Sequence, residues 1–119
     1  MLLVGTGKGS LFLFETRSLS LVSYNCQVLK EEIIGIYTSP NYIMLWSHKP
    51  HIRIWSLHCT HTIKDLSDML NEKPFVLLLE SQILCLSFPR DLEGEEGVVS
   101  TRDGTIWYLN LLEKSTIRL

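Results

Sequence analysis

No two cysteines of this 119-residue chain stand at the spacing of a metal knuckle or a redox pair. Cys26, Cys59 and Cys85 are odd in number and far apart, a pattern that suits buried thiols in a reducing compartment rather than a disulfide framework. An excess of charge is missing too. Eleven Lys and Arg against thirteen Asp and Glu leave a formal net charge of −2, so the chain carries no electrostatic footprint for nucleic acid or an anionic membrane. No apolar run approaches the roughly 18 residues of a spanning helix. The longest, Phe75-Val76-Leu77-Leu78-Leu79, has the length of a strand. Glycines, Lys8 and Ser10 interrupt the N-terminal stretch too early for a signal peptide. The expectation is a soluble, cytoplasmic chain that binds neither nucleic acid nor membrane.

What the sequence does contain is 45% hydrophobic residues, enough for a folded core in a chain of one-domain length. Short β-type segments separated by turn signals dominate it. Three stretches superimpose: LLVGTGKGSLFLF, IMLWSHKPHIRIW and VVSTRDGTIWYL. Each is an apolar run, then Thr or Ser, one residue, a two-residue turn and a second apolar run. Thr6, Ser47 and Thr101 share one slot, and Lys8-Gly9, Lys49-Pro50 and Asp103-Gly104 fill the turn. The turns are 41 and then 54 positions apart, and the first spacing matches the roughly 40–45 residue period of four-stranded propeller blades. Val28–Ile36 also aligns with Leu78–Leu86, 50 positions on, and each leads to a proline, Pro40 and Pro89. The extra residues therefore fall near 65–73 and in the acidic loop from Asp91 to Glu96. Ile63, Leu66, Met69 and Leu70 have helical spacing before Pro74, which predicts one short helix.

This pattern resembles the WD-repeat family over nearly the whole chain. Phe14-Glu15, Trp55-Ser56 and Leu109-Asn110 occupy the place of that family's Trp-Asp pair, and Asp103-Gly104 keeps its turn aspartate. No Gly-His dipeptide precedes Ile33 or Ile83, so the family's buried His–Asp network does not carry over. The resemblance implies an all-β fold of two to three four-stranded antiparallel blades, with segments of approximately 1–29, 30–79 and 80–119, incomplete as a ring. It implies a non-enzymatic protein-interaction scaffold without cofactors, and other proteins as partners. Further blades or chains are expected to complete the propeller. The stretch Val98–Leu109 is similar to a blade of a large centriolar and ciliary member of the family. That likeness implies a cytoskeletal setting, with microtubule or centriole components as partners.

The residues themselves offer few sites for chemistry. Gly5, Gly7 and Gly9 give G-x-G-x-G with Lys8 between the last two, which matches neither a P-loop nor a dinucleotide fingerprint. A β-like segment follows where both motifs need a helix. A hairpin turn is the expectation there, and a nucleotide-binding enzyme is the rival. Among His48, His51, His58 and His61, the second and third sit at opposite ends of one expected strand, about 23 Å apart. That separation excludes one shared metal site. A two-residue site from His58 and His61 across a bend stays open, with polar loop positions as the default. Glu93, Glu95 and Glu96 form the one cluster of carboxylates, with no apolar surroundings to raise a pKa. A solvated loop or a docking patch for a basic partner fits them better than acid catalysis. Lys8 and Lys49 on equivalent turns offer a small basic patch. Trp55 is expected in the core, whereas Trp107 and Tyr108, being neighbours on a strand, point to opposite faces. The candidate partner-binding residues are thus Lys8, Lys49, Glu93, Glu95, Glu96 and Trp107. A purely structural role, in which these blades close a ring whose binding face lies elsewhere, is the second rival.

Overall fold

Each turn signal folds the chain back on itself, so that neighbouring segments pair as antiparallel meanders. The computed structural model describes residues 2–25, 28–39, 41–56, 68, 72–89 and 95–119. Among these, eleven strands form three antiparallel sheets. The first sheet holds β1 (Leu2–Gly5), β2 (Leu11–Phe14) and β3 (Leu21–Asn25). The middle sheet holds β4 (Gly35–Thr38), β5 (Tyr42–Trp46), β6 (His51–Ser56) and β7 (Phe75–Leu78). The third holds β8 (Ile83–Ser87), β9 (Glu96–Thr101), β10 (Ile106–Asn110) and β11 (Ser115–Arg118). Strand order follows chain order in all three. The fold is therefore all-β, as expected. The helix expected from Ile63 to Leu70 and the loop Asp91–Gly94 lie outside the described residues, apart from Asp68.

The sheets stack face to face through two separate cores. Leu11 and Leu13 of the first sheet meet Ile43, Leu45 and Trp55 of the middle sheet, with Leu29 and Ile33 from the connecting segment. Tyr42, Met44, Trp46, Ile52 and Ile54 of the middle sheet pack with Val99, Trp107 and Leu109 of the third. Side chains alternate along a strand, so β5 sends its even-numbered residues to one core and its odd-numbered ones to the other. All five of its residues are buried. This double coverage explains why YIMLW reads as an unbroken apolar run. In β2 and β10 the apolar run has a different basis. Only Leu11 and Leu13, or Trp107 and Leu109, are buried; Phe12, Phe14 and Tyr108 face outward partly buried, and Ile106 is exposed.

The repetition extends past the first turns. Leu19 and Lys114 have positive φ, 55° and 54°, and they lie 95 positions apart, as do Gly9 and Gly104. Each therefore sits at the same point of the hairpin that follows the aligned turn, between β2 and β3 and between β10 and β11. A left-handed backbone costs a side chain about 1 kcal/mol. Leu19 is 66% exposed, so Leu19→Gly is expected to raise stability by up to about 1 kcal/mol, read as a higher urea midpoint. A midpoint that stays put or falls counts against this account of the turn.

Candidate functional site

The three aligned turns lie along one rim of the stack, and their slot residues shape them. Thr6 Oγ1 accepts hydrogen bonds from the Lys8 and Ser10 amides at 3.3 and 3.1 Å. Ser47 Oγ accepts from the Lys49 amide at 3.3 Å. The third turn adds a carboxylate. Thr101 Oγ1 donates to Asp103 Oδ1 at 2.6 Å, and the Thr105 amide donates to the same oxygen at 3.1 Å. These two bonds hold the Asp103 carboxyl below its ordinary pKa. Gly9 and Gly104, with φ of 80° and 84°, each donate an amide to the slot residue's carbonyl. Such hydroxyl and carboxylate bonds to nearby amides are the chemistry of tight turns.

The connecting segments run beneath this rim and tie the turns together. The Leu29 amide donates to Gly9 O, and the Leu79 amide donates to Pro50 O. Above these bonds runs a ladder of polar side chains. Glu31 pairs with Lys49 at 3.4 Å and Glu32 with His48 at 3.5 Å. Gln82 Nε2 meets His48 Nδ1 at 3.4 Å, and Arg102 donates to Gln82 Oε1 at 3.3 Å. An imidazole that accepts at Nδ1 and donates to Glu32 at Nε2 fits both of its partners. The ladder follows the repeat. Glu32 and Gln82 are 50 positions apart and occupy one slot, while Gly7, His48 and Arg102 share another. Each connector side chain thus reaches the turn of the sheet it leads into. At Gly7 the slot holds no side chain, so the ladder stops before the first sheet. Exposed pairs of this kind add little stability singly. Their effect is to fix the spacing of charged groups on a preformed surface.

The expected site residues separate accordingly. Lys8 and Lys49 both stand exposed on the rim, on either side of the connector from Leu29 to Glu31. Lys49 is half-engaged by Glu31. Glu93 lies outside the described residues, as do His58, His61, Cys26 and Cys59. Glu95 immediately precedes β9, where its carbonyl accepts the Leu111 amide at 2.8 Å. Burial, followed by the charge of Glu95, raises the Tyr42 phenol above its usual pKa. Glu96 is hydrogen-bonded to Tyr108 and raises that phenol in turn. Trp107 is 7% exposed and packs in the core between the middle and third sheets, so its ring offers no contact surface here. Tyr108, its neighbour, faces the other way. Trp55 is buried as expected, and its indole donates to Glu72 O at 3.0 Å. Glu31, Glu32, Gln82 and Arg102 are the rim residues that sequence reasoning passed over. The 50-residue alignment of the connectors was the signal that places them.

No family model matches the chain, and no curated protein matches its sequence. Among the described residues no group of three or more His, Cys, Asp or Glu side chains is placed to hold a metal ion. No helix of the described residues is long and apolar enough to cross a membrane.

His51, at the rim end of β6, gives the site a pH dependence. Burial chiefly, then the charge of Arg53, pushes its pKa below 6.5, with Lys49 adding to the shift and Glu31 opposing it. The folded state therefore prefers the neutral ring. This contribution to stability is complete above the unfolded pKa of 6.5 and is lost as pH falls below it. The urea midpoint is expected to drop between about pH 7.5 and about pH 5, and by less in His51→Gln. Equal drops in the two proteins would remove His51 from the account.

Proposed function

We propose that the chain is a run of WD-repeat-type propeller blades acting as a non-enzymatic protein-interaction scaffold, with the turn-bearing rim as its docking surface. The polar ladder from Glu32 through His48 and Gln82 to Arg102 carries the reading. It holds charged groups of both signs at fixed spacing on an exposed edge, as preformed recognition of another protein requires. Lys8 and Lys49 extend the basic component toward the first sheet. The similarity of Val98–Leu109 to a blade of a centriolar and ciliary protein favours microtubule or centriole components as partners and the cytoskeleton as the setting. Further blades or chains would complete the ring.

Proximity labelling in ciliated cells tests the proposal. The triple variant Lys8→Glu, Lys49→Glu, Arg102→Glu is expected to lose most centriolar neighbours while keeping its thermal unfolding midpoint. An unchanged set of neighbours would favour blades that only close a ring. Saturable micromolar ATP or GTP binding that Lys8→Ala removes would replace the scaffold with an enzyme.

A further inference from the structure

The stack has a direction. In each sheet, one face carries the residues five and seven positions after the slot Thr or Ser: Leu11 and Leu13, Ile52 and Ile54, Ile106 and Tyr108. The other face carries those six and eight positions after it: Phe12 and Phe14, Arg53 and Trp55, Trp107 and Leu109. Both internal interfaces place a face of the first kind against a face of the second. Leu11 and Leu13 share a core with Trp55, and Ile52 and Ile54 share one with Trp107 and Leu109. One face of each kind is left without a partner sheet among the described residues. On the first sheet it is an aromatic ridge, with the Phe12 ring tilted against Tyr24 at 4.6 Å and stacked with Phe14 at 6.4 Å. Exposed Leu2, Val4 and Leu21 flank the ridge. On the third sheet it is an aliphatic face of Val98, Ile106 and Ile117, all exposed.

The aliphatic face is also hollow. A cleft of about 260 Å³ lies among Ser87, Pro89, Glu96, Gly97, Val98 and Tyr108. In the middle sheet the places of Ser87, Glu96, Val98 and Tyr108 are held by Tyr37, Tyr42, Met44 and Ile54. There Phe88 of the next sheet joins the same core and lies 4.9 Å from the Tyr37 ring. A phenyl ring is thus what this position receives where it is covered.

We propose that two copies of the chain associate head to tail, the aromatic ridge of one first sheet covering the aliphatic face of its partner's third sheet. The contact would continue the stacking already made twice within the chain. Its two halves are different surfaces, so the interface is heterologous and leads to a ring or to an open chain of copies. The proposal uses the direction of the stack alone and stands whether or not the sheets belong to a WD-repeat propeller.

Sedimentation velocity over a concentration series of the full chain tests it, with wild type expected to move from monomer to dimer or higher. Val4→Lys and Ile106→Lys, both at exposed positions, each place a charge on one half of the contact. Each alone is expected to weaken association by about ten-fold or more. A one-to-one mixture should regain a heterodimer, because each variant keeps the half that the other has lost. Circular dichroism checks folding, and Leu21→Ser with Ile117→Ser repeats the test at the margins should either lysine variant unfold. A wild type that stays monomeric would overturn the proposal. So would a single variant that dimerises as wild type does, since that outcome means like faces meet.

Discussion

Gly9→Ala is expected to destabilise the chain by about 3 kcal/mol, the largest cost of any substitution in the turns. Two independent demands meet at this residue. Its φ of 80° lies in the left-handed region, where a side chain is strained. A Cβ there would also overlap the Leu29 carbonyl oxygen and crowd that of Glu31. Neither is a flexible side-chain tip, so the connector itself would have to move. That movement would strain the bond from the Leu29 amide to Gly9 O, which fastens the connector to the turn. The other glycines supply a graded control. Gly104 has the same φ but open space around its Cβ position, so Gly104→Ala should cost only about 1 kcal/mol of backbone strain. Gly7 has open space and no positive φ, so Gly7→Ala should stay within about 0.5 kcal/mol. Chemical denaturation of the three variants reads the order directly. Equal costs would show that the loop is not held by the connector.

The same three glycines mark what the sequence made legible. The turn register could be read because Thr6 and Ser47 accept from amides two residues on, and Thr101 donates to the carboxylate two residues on; chemistry that local leaves a local signature. Gly7 and Gly9 stand in the same expected hairpin turn, yet only Gly9 is required by its geometry. The difference lies in the Leu29 carbonyl, twenty positions away, which no turn rule contains. Charged positions were harder still. Glu32 and Gln82 look like ordinary solvated residues until the sheets stack and carry them to His48 and Arg102. Trp107 read as a candidate anchor because a strand pattern separates two faces without saying which is covered. Packing against the middle sheet settles that, with Trp107 inside and Tyr108 outside. The nearly unbroken apolar runs of β2, β6 and β10 are the pattern of strands covered on both faces. Among the described residues only the middle sheet has such coverage, since the outward residues of β2 and β10 find no neighbouring sheet there.

That distinction makes the paired truncations Met44→Ala and Leu45→Ala the most informative test of the stack. The two residues are adjacent in β5 and point to opposite faces, and both are completely buried. Met44 belongs to the core shared with the third sheet and Leu45 to the core shared with the first. Removing a buried side chain of this size costs its transfer free energy plus that of the cavity left behind, typically 2–5 kcal/mol. Each variant is therefore expected to lose about 3 kcal/mol. Leu78→Ala, on a strand of the same sheet but 72% exposed, should change stability by less than about 0.5 kcal/mol. A sheet covered on one side only would give a different result, with one member of the Met44 and Leu45 pair as cheap as Leu78. The two cores share no buried residue, so the double variant should come close to the sum of the singles. A marked shortfall from that sum would mean that losing one core already releases the other, coupling the two through the middle sheet.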